Sequence, residues 1–272
     1  MRRAATAAVA AAILVSALAA GCARHDVLTG RLREMPDEAA RRVLSDSIWA
    51  CGDIYHWAGH ASLRLEVTRI DNTSGVERRG DEVWTLDLVG GRVRIEKTVA
   101  RQVIVYDGVS WRVFIQGKET QDLETRAEAA GDVAIARGLA TLPFGLLDAP
   151  AKMMYVGTRT GPGEARVWDR LLVTYPPGSG FEPGDRTLVE FNKQSRRVDS
   201  ALITWSEAPF LGGTYCVKMD EWWTMAGLAL AHRLRFVPVN DKGAPAGPVH
   251  WTLEVRSVLL DAPLGLATFS QP

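Results

Sequence analysis

This sequence has no charge excess, no catalytic signature and only three cysteines, and each of these narrows the field. Its 32 Lys and Arg are matched by 32 Asp and Glu. No basic excess draws it to nucleic acid, and there is no long charged tail. A Gly-x-Ser-x-Gly elbow is missing, because Gly178-Ser179-Gly180 sits in a Pro-rich loop with the wrong spacing. Gly161-Pro162-Gly163 lacks the Gly-Lys-Ser/Thr ending of a phosphate-cradling loop. The acidic pairs Asp81-Glu82 and Asp220-Glu221 are adjacent, so on a strand they point to opposite faces, which is poor geometry for acid–base work. His56 and His60, four apart, would share a helix face and could bind zinc. Trp57 stands where the Glu of a metalloprotease would be, Gly59 favours a turn, and no third ligand follows. The bland reading, a polar helix-to-strand connection, is preferred. The expectation is no catalysis, no metal and no cofactor. Low-complexity stretches and short repeats are absent beyond the first 21 residues.

What is present begins at the N-terminus. Arg2 and Arg3 precede an uncharged, Ala-rich run from Ala4 to Gly21 centred on Ile13, Leu14, Val15 and Leu18. Basic, apolar and small-residue regions in that order make a secretory signal, and the run is barely long enough to be a retained membrane helix. Leu18-Ala19-Ala20-Gly21-Cys22 resembles the lipobox of bacterial lipoproteins, although Ala19 holds the place of the usual Leu. That resemblance implies cleavage before Cys22, acylation of its thiol and new N-terminus, and a firm hold on a membrane, since each buried CH₂ contributes about 0.8 kcal/mol. Ala23 rather than Asp follows Cys22, which by the same resemblance points to the outer membrane, facing the periplasm. Losing Arg2 and Arg3 leaves the mature chain at a formal −2.

Residues 22–35 read as a tether. Pro36, then Asp37 and Glu38, open an amphipathic helix over 36–51, with Ala40, Val43, Leu44, Ile48 and Cys51 on one face and Gly52 as its stop. The period then changes to two. Leu63, Leu65 and Val67 alternate with charged or polar residues, as do Trp84, Leu86, Leu88 and then Val93, Ile95. Gly90-Gly91 and Asp107-Gly108 mark hairpins. Residues 122–142 read as a second helix with a small-residue face of Ala127, Ala130, Ala134 and Gly138, ended by Pro143. Strands resume at 153–159 and continue to 248–260, interrupted by loops at 176–180 and 243–247. The total is about eleven or twelve strands joined by short turns. This is mainly β (α+β): a curved antiparallel sheet forming an incomplete β-barrel, covered by an N-terminal helix and an inserted helix.

The order of these features resembles the LolA/LolB-like superfamily of periplasmic lipoprotein and lipid carriers over most of residues 36–272. The residues that carry the likeness are Val105-Tyr106-Asp107-Gly108-Val109-Ser110-Trp111, the late strand-turn-strand Glu221 to Leu228, and the closing strand with Phe269 and Pro272. The resemblance implies an apolar cavity that binds acyl chains or other lipids without catalysis. No short motif carries a binding list. Composition instead suggests Trp84, Trp111, Leu142, Phe144, Leu146, Trp205 and Trp223 as cavity candidates, with ordinary core packing as the alternative for most of the nine Trp. Cys51 and Cys216 remain as a possible disulfide or as two separate buried thiols. The expected partners are a membrane, through the anchor, and a hydrophobic ligand or lipoprotein. A structural or assembly role on the same fold is the rival. The weakly helical, Gly-containing 122–142 and the very apolar 142–147 together read as a movable cover over the cavity.

Overall fold

The computed structural model describes residues 23–148, 151–161, 166–175, 185–205, 213–240, 243–265 and 267–270. Cys22, the signal sequence, the loop expected at 176–180 and Pro272 lie outside them.

Residues 23–33, placed by sequence in the tether, form a helix, α1. It is docked and not free: Leu28 is buried in the main core and Arg24 is buried beneath the following helices. α2 spans Glu38–Ala50, with Asp37 as N-cap accepting from the Ala40 amide. Pro36 therefore precedes the cap and does not open the first turn. α2 ends as the sequence implies, at Gly52, which takes a φ of 117°. A short α3 follows at Ile54–Gly59, capped by Asp53.

The strands are β1 Ser62–Asp71, β2 Arg78–Asp87, β3 Arg92–Lys97, β4 Gln102–Tyr106, β5 Trp111–Ile115, β6 Lys118–Glu119, β7 Lys152–Thr160, β8 Val167–Thr174, β9 Arg186–Asn192, β10 Val198–Thr204, β11 Thr214–Met225, β12 Leu228–Pro238 and β13 Trp251–Leu260. All thirteen form one curved antiparallel sheet that stays open, in the order β6-β5-β4-β3-β2-β1-β13-β12-β11-β10-β9-β8-β7. The strand missing from the sequence reading is β6, whose two residues are too few to show a period. Two meanders, β1–β6 and β7–β12, are joined side by side by β13, which pairs with both β1 and β12.

This order dictates where the inserted helices go. β6 and β7 are consecutive along the chain yet occupy opposite edges of the sheet. The link between them must cross a face, and the face with the apolar rows receives it. The link comprises α4 at Leu123–Ala134, a π-helical turn at Ile135–Leu139 and α5 at Gly145–Asp148. The single helix expected over 122–142 is thus shorter and changes pitch. From Ala129 onward it is buried on nearly every side, because it runs beneath the curved sheet and not along its rim. Small residues there allow close approach and do not signal weak packing. Asp132, in the last turn of α4, is buried between Arg69 of β1 (2.6 Å) and Lys97 of β3 (2.5 Å), and Arg69 also grips Glu82 of β2 (2.7 Å). The Trp84 indole donates to the same Glu82 carboxylate at 2.7 Å. Four charged side chains therefore tie α4 to the sheet. Among the described residues, no helix is long and apolar enough to cross a membrane.

Candidate ligand-binding cleft

The segment between α4 and β7 meets α1 at one edge of the sheet. Arg31 of α1 donates to the carbonyls of Leu147 (2.6 Å) and Asp148 (2.9 Å), which fixes the end of α5. Arg24 donates to the carbonyls of Trp57 and His60 (both 2.9 Å) and to Asp148 (3.2 Å), and the Trp57 indole donates to Asp148 as well (3.2 Å). Burial pushes the Asp148 carboxyl up, while Arg24 and Trp57 act against that. On the other side, the Asp37 carboxylate accepts from the Tyr155 amide at 2.7 Å and ties the start of α2 to β7. Hydrogen bonds from the backbone amides of Ala40 and Tyr155 hold Asp37 below the ordinary carboxylate range.

These ties leave a cleft of about 630 Å³ between α1, α5 and β7. Met35, Pro36, Leu146, Leu147, Ala151 and Met153 give it an apolar wall, and Arg31, Glu34 and Lys152 stand at its rim. Leu146 is the one of the seven sequence candidates that lines it. Trp84, Leu142, Phe144 and Trp205 are buried in the closed core. Phe144 stacks on Trp57 at 4.8 Å, and the Trp205 indole donates to Thr187 at 3.2 Å. Trp111 is half-buried against the same core.

Trp223 goes the other way, 40 % exposed and stacked on His232 at 3.6 Å. Strict alternation from buried Val217 and Met219 would turn it inward. Glu221 intervenes with a φ of 55°, the alternation breaks, and Trp222 packs against the core instead. The cleft residues that sequence reasoning missed are Met35, Pro36, Ala151 and Met153. They come from chain segments with no shared periodicity, so only the tertiary meeting of α1 with β7 reveals them.

The other candidates separate. Cys51 and Cys216 are both free thiols. The Cys51 carbonyl accepts from the Ala229 amide at one end of β12, whereas Cys216 pairs with Val237 near the other. That is roughly 25 Å away at about 3.3 Å per residue, well beyond the reach of a disulfide. Alkylation of the denatured protein without reductant should therefore label both, and an unlabelled pair would contradict this placement. Burial pushes the Cys51 thiol up to about 12, so in the folded protein Cys216 should react first. His56 pairs with Asp53 (3.4 Å) and His60 with Asp261 (2.7 Å), each serving a local carboxylate at the helix-to-strand connection. Among the described residues, no group of three His, Cys, Asp or Glu could hold a metal ion.

No protein-family model matches this sequence, and no curated protein matches it. Solved structures do resemble the fold. A LolA superfamily protein from Nitrosomonas europaea superposes with a TM-score of 0.59 at 13 % identity, over 85 % of this chain and 97 % of that one. A DUF1329 family protein from Desulfovibrio piger gives 0.54 at 10 % identity, over 86 % and 97 %. A putative outer membrane lipoprotein-sorting protein domain from Vibrio parahaemolyticus gives 0.53 at 8 %, again over 86 % and 97 %.

Proposed function

The chain has a LolA-like fold, and from that premise we propose that it is a non-catalytic, lipid-anchored envelope protein that holds a hydrophobic ligand. The ligand is a lipid, or the acyl chains of a lipoprotein. The cleft walled by Met35, Leu146, Leu147 and Met153 carries this reading. Its volume falls within the roughly 300–1,000 Å³ typical of ligand sites, and its lining is largely apolar with a few polar groups at the mouth. Apolar walls favour a chain of methylene groups at about 25 cal/mol per Å² removed from water. Arg31 and Lys152 at the rim suit an anionic end of such a ligand.

Mass spectrometry of lipids retained after gentle purification tests the reading, alongside titration with a fluorescent fatty acid. Met35→Glu places a charge in the apolar wall at a half-buried position. It should weaken fatty-acid binding by about tenfold or more, since an unpaired carboxylate against methylene groups costs well over 1.4 kcal/mol, and it should leave the unfolding midpoint nearly unchanged. Equal affinity in the variant would place the ligand elsewhere. An empty protein that copurifies with a partner protein would favour an assembly role.

Anchoring through Cys22 belongs to the same proposal and rests on the lipobox-like sequence. Cys22→Ser should move the protein from the membrane fraction to the soluble fraction or stall its processing. Intact mass of the native mature protein showing an unmodified Cys22 would refute the anchor. Since residues 23–33 are helical and docked through Arg24, an anchor at Cys22 would hold the body close to the bilayer, without the slack of a long tether.

A further inference from the structure

One end of the sheet gathers the exposed aromatic side chains, and strand register defines that end. Tyr106 pairs with Val93, Val93 with Leu86, Leu86 with Leu63, and Leu63 with Leu260. β4, β3, β2, β1 and β13 therefore finish level with one another. Just beyond this row stand the hairpin tips at Val89 and Val109, both exposed. The two tips touch, since a Cβ on Gly108 would lie 3.4 Å from the Gly90 carbonyl oxygen. Val89 also lines a small cavity together with Val27 of α1. The α2–α3 corner joins the same rim. Tyr55 of α3 stacks on His25 of α1 at 4.1 Å, and the β11–β12 turn meets both Gly52 and His56. Among the described residues, the exposed Trp, Tyr and Phe side chains are Trp49, Tyr55 and Trp223. Trp49, 67 % exposed, ends α2; Tyr55, 64 % exposed, is on α3; Trp223 lies close to the β11–β12 turn.

This rim is also poor in free charge. Leu88 to Gly91 and Thr224 to Leu228 carry none. The carboxylates that do occur are tied to their own turns. Asp53 accepts from the His56 amide and Asp107 from the Val109 and Ser110 amides, each at 2.9 Å. Asp261 is paired with His60 at 2.7 Å. The opposite end lies roughly 30 Å away along β1, at about 3.3 Å per residue, and differs in character. Its turns expose Val76 and Val99, but Glu77, Arg78, Arg79 and Arg101 flank them.

We propose that the rim around Tyr55, Trp49, Val27 and Val89 lies in the interface of the bilayer that holds the Cys22 anchor. The proposal rests on the anchor reading, because Cys22 immediately precedes α1 at this rim. Tyr and Trp suit such a place, where an apolar ring meets methylene groups and a polar tip meets water. Single exposed apolar side chains are ordinary, whereas a charge-poor group of them marks a contact surface. The orientation has a consequence for the cleft. Register runs in one row from Tyr155 of β7 across to Asp71 of β1, so β7 starts level with the far end of β1. The cleft at Met153 is then on the side away from the bilayer.

The test uses the full mature protein, reconstituted into vesicles of phosphatidylethanolamine and phosphatidylglycerol. A Cys216→Ser background carries either Val89→Cys, at the rim, or Val99→Cys, at the opposite end, labelled with a nitrobenzoxadiazole dye. Flotation reports the anchor. Quenching by lipids brominated on their acyl chains reports the docked face. The dye at residue 89 should lose about half its emission, as a group held about 5–10 Å into the headgroup and acyl boundary would. The dye at residue 99 should lose almost none. Protein that floats with equal quenching at both positions, or with none at either, overturns the docked face and leaves the anchor standing. Protein that fails to float overturns the anchor, and the docked face with it.

Discussion

Gly52→Ala should be among the most damaging single-methyl changes in this protein, lowering stability by more than about 3 kcal/mol, in the range where a core clash and a backbone strain act together. Gly52 follows α2 with a φ of 117°, and a Cβ there would stand 1.9 Å from the Gly227 carbonyl oxygen and 2.9 Å from its carbon. Both are backbone atoms, so no rotamer change opens the space. The close approach exists because the β11–β12 turn, with Ala226 and Gly227 at φ 46° and 83°, docks under the end of α2. The Ala229 amide then donates to the Cys51 carbonyl at 2.8 Å, satisfying one of the carbonyls a helix end leaves open. Gly75→Ala is the control. Gly75 also has a positive φ, 74°, but nothing lies within 4 Å of its Cβ position, so it should cost only the strain, about 1 kcal/mol. Urea unfolding followed by circular dichroism reads both. Equal losses in the two variants would mean that the α2–turn contact is loose enough to yield, and would refute the docking argument.

That contact also marks where the sequence was readable and where it was not. Gly52 as a helix stop and the bend near Gly227 are both visible in the chain, because each is a local requirement for positive φ. Their mutual contact is not visible, since nothing local couples residue 52 to residue 227. The same division runs through the fold. Leu63, Leu65 and Val67 show their strand because one face meets the core and the other meets water. Trp222 and Trp223 mislead, because one positive φ at Glu221 resets the alternation that identifies the inner face. Residues 22–35 read as a tether because their apolar stripe is short: Leu28, Leu32 and Met35 stand at i, i+4 and i+7 and meet the core, but the charged residues around them mask it. α1 is held as well by Arg24 reaching the carbonyls of Trp57 and His60, polar docking that no periodicity announces. The cleft was legible only at Leu146 and in the apolar run around it. Its other walls are supplied by a meeting of distant segments.

Asp132 is the position where the sequence reading and the structure differ most in consequence, and its removal should have the second large effect. Small residues on 122–142 suggest a cover held weakly enough to open. Asp132 instead sits in the last turn of α4, buried against Arg69 and Lys97. A buried ion cluster is itself weak evidence of net stability, since desolvation offsets the attraction, but removing one partner strands the others at a cost of about 3–5 kcal/mol. Asp132→Ala leaves Arg69 with Glu82 alone and Lys97 with no carboxylate at that point. A loss of about 3 kcal/mol or more is therefore expected, with α4 losing hydrogen-exchange protection first. The pH dependence has a definite sign. Burial opposes the Asp132 charge, Arg69 and Lys97 overcome it, and the carboxyl is held below its ordinary value. A carboxyl whose pKa is lower folded than unfolded adds stability that is present above the unfolded value, about 3.9, and fades as pH falls through the folded one. The wild type should accordingly lose stability on acidification below about pH 4 more steeply than Asp132→Asn. Parallel acid titrations of wild type and Asp132→Asn, each followed by urea midpoint, decide the matter. Superimposable slopes, or strong exchange in α4 of the wild type at neutral pH, would show that the clamp does not hold the helix and would restore the movable cover.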